Sequence, residues 1–167
     1  MRLIFILIFN STVFLCAQGK WYLGNLKGVD ELSIHIEIDS LQDKLWANRI
    51  MNYVELSLGQ TKIRIDKEIP IPRLAVEIFI IDNNIDEVSS FMINYCLYNY
   101  ALPDREYIKS VEDTLITKKF RIHKVYEKEI LGQSTSASLH LDIEEAIIEH
   151  TSNFVEQWFR DNPFKQF

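Results

Sequence analysis

Apolar and polar residues alternate strictly from Glu31 to Ile38: Leu32, Ile34, Ile36 and Ile38 on one side, Ser33, His35 and Glu37 on the other. A period of two points successive side chains to opposite faces, so this segment predicts a half-buried strand. The period then changes. Leu41, Leu45, Trp46, Ile50, Tyr53, Val54 and Leu58 recur at threes and fours and predict a helix over 40–58 with a broad apolar stripe. Ser40 followed by Asp43 opens it as a capping pair, and Gly59 is a natural stop. Lys62–Asp66 alternates again, with Ile63 and Ile65 inward. Pro70 and Pro72 make the next connection stiff and extended. Leu74–Ile81 is the most apolar stretch, broken only by Glu77, and predicts a central strand.

Asp82-Asn83-Asn84 is turn chemistry. Val88–Leu102 carries Phe91, Tyr95, Tyr98 and Tyr100 among β-branched residues and predicts a long strand. Pro103 opens a polar loop over 103–117, with a short helix expected over Tyr107–Leu115. Lys119–Leu131 predicts a strand that returns beside the long one as a hairpin. Phe120, Ile122, Lys124, Tyr126 and Lys128 are expected on one face, Val125 and Leu131 on the other. Gly132–Ser138 is a polar connection. The last helix is expected from Ser138 or Asp142 to Arg160. Ile143, Ala146, Ile147, His150, Phe154 and Trp158 line one side, and Asp142, Glu144 and Glu145 suit its N-terminal dipole. Asn162-Pro163 stops it. The fold class that follows is α+β: one largely antiparallel four- to five-stranded sheet with two helices packed on one face.

The beginning of the chain changes the picture of its compartment. In MRLIFILIFNSTVFLCAQG, Arg2 precedes an apolar run, and Ala17-Gln18-Gly19 offers small residues for cleavage before Lys20, or after Ala17. That order predicts a secretory signal over 1–19 and a single domain over 20–167. The run is too short to span a bilayer, so no transmembrane span is expected in the mature chain. A lipid anchor through Cys16 would want a small residue before it, and Leu15 stands there. Export to the periplasm or the extracellular space is the favoured destination. The mature chain would keep one cysteine, Cys96, which cannot form a disulfide within its own domain. It is expected as a buried small hydrophobe between Tyr95 and Leu97.

The net charge is −6, with 18 basic and 24 acidic residues, and losing Arg2 makes it −7. The densest basic stretch, Lys118 to Lys124, is soon followed by Glu127 and Glu129. Nucleic-acid binding rests on neutralising phosphates, so no nucleic-acid partner is expected.

Candidate chemistry is sparse. His35, His123, His140 and His150 form no metal-ligand spacing. His35 and Glu37 share a strand face that His123 would join only under one sheet order. His150 lies at the edge of the last helix's apolar side and is expected to hydrogen-bond to the sheet or a carbonyl. Glu77, if buried, would be a raised-pKa acid with Asp82, Glu87 or Glu129 as its second carboxylate. A solvated position beside a Lys or Arg is the preferred reading. Ser134, Thr135, Ser136 and Ser138 lack the second glycine of a nucleophile elbow and are expected to cap the last helix. Tyr95, Tyr98 and Tyr100, with Tyr126, form either a ligand platform or, as favoured, cross-strand pairs that support the sheet. Phe164 and Phe167 lie beyond the last helix, as a frayed tail or a docking segment. No catalytic, cofactor-binding or metal residue is assigned.

Three stretches carry a resemblance: Val54-Glu55-Leu56-Ser57-Leu58-Gly59-Gln60-Thr61-Lys62-Ile63, then Pro72-Arg73-Leu74-Ala75-Val76-Glu77-Ile78, then Phe154-Val155-Glu156-Gln157-Trp158-Phe159-Arg160-Asp161-Asn162-Pro163. In this layout the chain resembles small exported bacterial α/β domains of unknown function. Its Ala17-Gln18 also looks like exported proteins of Bacteroidetes-type bacteria. Where such domains often carry a tryptophan in the last strand, this chain has Tyr126. The resemblance implies export and a single domain, and it implies no activity. The expectation is a non-catalytic exported binding or envelope-assembly domain with a protein partner or a small ligand. An oligomeric envelope subunit is the second reading, and a small hydrolase with an atypical site the third.

Overall fold

The computed structural model of this 167-residue chain describes residues 24–39, 44–83, 88–101 and 120–165, with the backbone alone at 82 and 83. The signal segment with Cys16, the Ser40 and Asp43 cap, Leu41, Glu87, the loop at 103–117 with its short helix, and Phe167 lie outside the described residues.

The elements run β1 (Glu31–Ile38), α1 (Lys44–Leu58), β2 (Arg64–Ile65), β3 (Arg73–Asn83), β4 (Val88–Ala101), β5 (Arg121–Thr135) and α2 (Leu139–Asp161), closed by a 3-10 turn (Pro163–Lys165). The five strands form one sheet in the order β2-β1-β3-β4-β5. β3, β4 and β5 are antiparallel neighbours, as long strands joined in sequence favour. β1 instead runs parallel to both β2 and β3. Strand β1 is followed by α1, and a helical crossover returns the chain in the same direction. The fold is α+β, a mixed and mostly antiparallel five-stranded sheet with two helices packed on it. The expected strand at Lys62–Asp66 shortens to two paired residues, and β5 runs four residues past its expected end, from Leu131 to Thr135.

Both helices cover one face. Its strand residues are Leu74, Val76 and Ile78 of β3, Ile93, Tyr95 and Leu97 of β4, and Tyr126 of β5, all buried. Trp46, Ile50, Val54 and Leu58 of α1 and Ile143, Ile147, Phe154 and Trp158 of α2 close over them. Leu45, expected in the α1 stripe, is 83 % exposed. The inward ridge runs at i, i+4 from Trp46, and Leu45 sits about 100° around the helix from it. At the outer strand, the ring of Phe91 lies across Gly132, where an added Cβ would collide with its Cζ.

β5 contains a bulge. Leu97 pairs with Tyr126 but Tyr98 pairs with Lys124, so Val125 is the extra residue. One inserted residue exchanges the faces of everything beyond it. Lys124 and Tyr126, expected together, therefore lie on opposite faces.

Polar clasps fix the helices. The indole Nε1 of Trp46 donates to Oε1 of Glu144 at 2.8 Å, and Nη2 of Arg49 reaches the same oxygen at 2.5 Å. His140 stacks on Trp46 with ring centroids 4.0 Å apart. At the other end of α2, Asp161 accepts the backbone N–H of Gly24 and of Leu26, at 2.9 and 3.0 Å. Asn162 accepts the Gly28 N–H and donates to the Leu26 carbonyl. Gly24 and Gly28 have φ of 88° and 76°, the left-handed region that glycine enters without strain, and this lets the loop present its amides. Trp158 Nε1 donates to the Val29 carbonyl at 2.7 Å.

Glu144 is buried, so truncating it strands the Trp46 donor. Glu144→Ala is expected to cost about 1–3 kcal/mol. Glu144→Gln, which keeps an acceptor, should cost less. Urea unfolding of the two variants checks this, and equal losses would remove the Trp46 bond from the explanation.

Candidate binding face of the sheet

The other face of the sheet carries no helix among the described residues, and the strand register sorts its side chains into rows. Ser33, Arg73, Tyr98 and Lys124 form the first. His35, Ala75, Cys96 and Glu127 form the second; Glu37, Glu77, Asn94 and Glu129 the third. Phe79, Met92 and Leu131 follow, then Ile81, Ser90 and Gln133. The face is thus polar and charged at one end and apolar at the other.

The middle rows are one connected network. Asn94 Nδ2 donates to Oε2 of Glu77 at 2.8 Å, and the Asn94 carbonyl oxygen accepts from Sγ of Cys96 at 2.8 Å. Cys96 Sγ also lies 3.8 Å from Oε1 of Glu127, which Lys124 Nζ bonds in turn. Cys96 is fully buried, but on this face and as a hydrogen-bond donor, which its apolar chain neighbours did not foretell. Burial pushes its thiol pKa up to about 11; Glu127 and Glu77 add to this and Lys124 opposes it. A thiol so held stays protonated at neutral pH, which makes it a poor nucleophile. The bond to Glu127 holds the Lys124 ammonium above its usual range. Tyr98 is also raised, chiefly by burial and then by Glu77, and Arg73 stands over its ring at 5.5 Å.

Several expected sites are rearranged. Glu77 is not beside a Lys or Arg in the sheet: Glu37 is its partner across β1, and Asn94 holds its carboxylate. His35 Nε2 lies 3.7 Å from Glu37 Oε2, but His123 pairs with Asn99 on the opposite face, so no site joins the three. Tyr95 and Tyr126 are in the core as an edge-to-face pair at 6.2 Å, while Tyr98 and Tyr100 are on the open face. The four tyrosines thus make no common platform. The Ser138 hydroxyl does not cap the α2 amides; it bonds Ser134 and Thr135, and Ser134 donates to the Asp142 carboxylate. Phe164 is exposed in the closing 3-10 turn.

His150 faces the core side, between α2 and β5, with its ring 6.5 Å from that of Tyr95. Its Nδ1 is buried without the expected hydrogen-bond partner. Burial lowers its pKa, Glu149 opposes the shift and Lys128 adds to it. The Tyr95 hydroxyl is also buried without a bond of ordinary geometry; its polar neighbour Thr151 donates to the Ile147 carbonyl. The sheet separates His150 from Glu77, and His123 sits beyond the bulge, so these three candidates for hydrolysis do not converge. Among the described residues, no three His, Cys, Asp or Glu side chains are grouped to hold a metal ion.

The feature that sequence reasoning missed is the apolar end. Phe79, Ile81, Met92 and Leu131, with Asp39 and Ser90, bound a groove of about 340 Å³. Ile81 is 72 % and Leu131 80 % exposed. A signal for it was present: once Leu74, Val76 and Ile78 are assigned to the core, Phe79 and Ile81 fall on the outer face. No family model, curated protein or solved structure matches this chain. Among the described residues, no helix is long and apolar enough to cross a membrane.

A histidine whose folded pKa is depressed binds its proton more readily when unfolded. Its contribution is complete above the unfolded value of about 6.5 and is lost as pH falls from there toward the folded pKa. Stability should therefore decline on acidification below that value, and His150→Gln should flatten the decline. Urea midpoints on both sides of the window test this. An identical pH profile in the variant would remove His150 from the explanation.

Proposed function

We propose that this chain is a non-catalytic exported binding or envelope-assembly domain that takes a protein partner on the apolar end of its open sheet face. The observation that carries the reading is the exposure of Ile81 and Leu131 beside Phe79 and Met92, bordered by the charged network of Glu77, Asn94 and Glu127. Contiguous apolar surface rimmed by polar groups is characteristic of interaction sites. The sheet supplies a rigid platform, because the core rows directly beneath are fully packed. Export rests on the charge, apolar run and small-residue order of residues 1–19. The resemblance of residues 54–63, 72–78 and 154–163 to small exported bacterial domains supports the same reading.

Fully burying one large apolar side chain is worth about 1.5–3 kcal/mol, roughly ten- to hundredfold in affinity. Phe79→Ser and Ile81→Asp should therefore each weaken partner capture at least about tenfold while leaving the unfolding midpoint near that of the parent. Crosslinking in producing cells, affinity capture and mass spectrometry measure this. A single envelope partner lost in both variants is expected, and capture unchanged by either variant would overturn the reading. The exported protein should begin at Lys20, or at Gln18, by N-terminal sequencing. An exported chain still starting at Met1 would contradict the signal.

A further inference from the structure

The sheet ends in two unlike edges. β2 closes one side with only two residues. β5 forms the other with 15 residues, and among the described residues its outward side pairs with no strand. A long strand edge presents a row of backbone donors and acceptors, a template for pairing with another chain. Native edges are usually blunted by charge or by a bulge, and β5 has both, in Arg121, Lys124, Glu127, Lys128, Glu129 and the Val125 bulge, but it also carries exposed Ile122 and Leu131 near its two ends.

We propose that the β5 edge is the interface of a two-fold homodimer, in which β5 of one copy pairs antiparallel with β5 of the other and the two sheets become continuous. The occupant follows from the pattern of side chains along the strand. The bulge at Val125 brings Ile122 and Lys124 onto the same open face as Glu127, Glu129 and Leu131. An antiparallel two-fold pairing can then set Lys124 opposite the partner's Glu129 and Ile122 opposite the partner's Leu131. Symmetry repeats both pairs, so the interface gains two opposite-charge pairs and two apolar pairs. Without the bulge, Lys124 and Glu129 would point to opposite faces and could not meet. With Val125 left out of the ladder in each copy, Glu127 falls opposite its own copy on the axis, and Lys124 of the same chain, already bonded to it, offsets that like-charge contact. Sliding one copy by two residues sets Lys124 against the partner's Leu131, or moves it to the partner's Glu127 while setting Ile122 against the partner's Glu129, so only the matched register keeps both the opposite-charge and the apolar pairs. Lys124 already bonds Glu127, but an ammonium has three donors and the second carboxylate can share it. The interface shares Leu131 with the partner site above but otherwise uses the backbone edge, Lys124 and Glu129 in place of Phe79 and Ile81.

Sedimentation equilibrium of the exported protein over a wide concentration range tests it. The parent chain should associate to a dimer. Lys124→Glu and Glu129→Lys should each weaken association about tenfold or more, and the combined exchange should restore it, because both pairs are then opposite in charge again. Circular dichroism confirms that each variant is folded. A monomer at every concentration would overturn the proposal, and so would a dimer indifferent to both single reversals. If the charge variants fail to fold, the Ile122→Cys, Leu131→Cys double variant reads the same register. Mild oxidation should link two copies, and an unlinked product would overturn the proposal. Dimer loss in the charge variants with partner capture intact would separate this interface from the one at Phe79 and Ile81.

Discussion

Burial of a single face of the sheet under α1 and α2 is the constraint on which the molecule depends. The rows Leu74–Leu97–Tyr126 and Ile78–Ile93 lie beneath Ile50, Val54, Ile147 and Phe154, and this layer excludes water from most of the apolar side chains in the strands. Packing one layer of helices on one layer of strands gives a single core, which a chain of this length can fill without a disulfide. The consequence is a second face whose side chains must manage without that cover. At one end they do so by bonding each other, in the chain Glu77–Asn94–Cys96–Glu127–Lys124. At the other end Phe79, Ile81 and Leu131 form no such network, and the functional reading begins there.

The core layer also needs its helices held at fixed angles, and polar side chains placed far apart in sequence do this. Glu144 gathers Trp46 and Arg49 at the contact between α1 and α2. Trp158, Asp161 and Asn162 gather the backbone of residues 24–29 at the end of α2. A buried carboxylate is costly unless its oxygens are occupied, and Glu144 is tolerated because an indole and a guanidinium meet it. These contacts tie the start of the domain to its last helix, so the sheet between them cannot splay without breaking hydrogen bonds at both ends.

Much of this architecture is legible in periodicity. The alternation at 31–38 and the i, i+4 stripe from Trp46 to Leu58 correspond to β1 and α1, and the apolar positions from Ile143 to Trp158 correspond to the buried side of α2. What periodicity does not carry is pairing between distant segments. Nothing in Leu32–Ile38 says that its neighbours run parallel, because hydrophobic alternation is the same in either direction. A bulge is equally silent: Val125 is one ordinary β-branched residue, yet it moves Lys124 to the other face. Glu144 reads as a dipole-compensating surface acid until Trp46 is brought to it from α1. The open-face network was hidden for the same reason. Glu77, Asn94 and Glu127 belong to three strands, and only the register shows that Asn94 and Cys96 turn toward the carboxylates.

The central claim is that the sheet has one sealed face and one accessible face. Hydroxyl-radical footprinting of dilute native protein, read residue by residue by mass spectrometry, tests it most directly. The account predicts rapid modification of Ile81 and Leu131 and strong protection of Ile78, Ile93 and Leu97, which lie on the opposite face of the same sheet. Equal protection of both sets would mean that the apolar end is covered in the free protein, and would contradict the account.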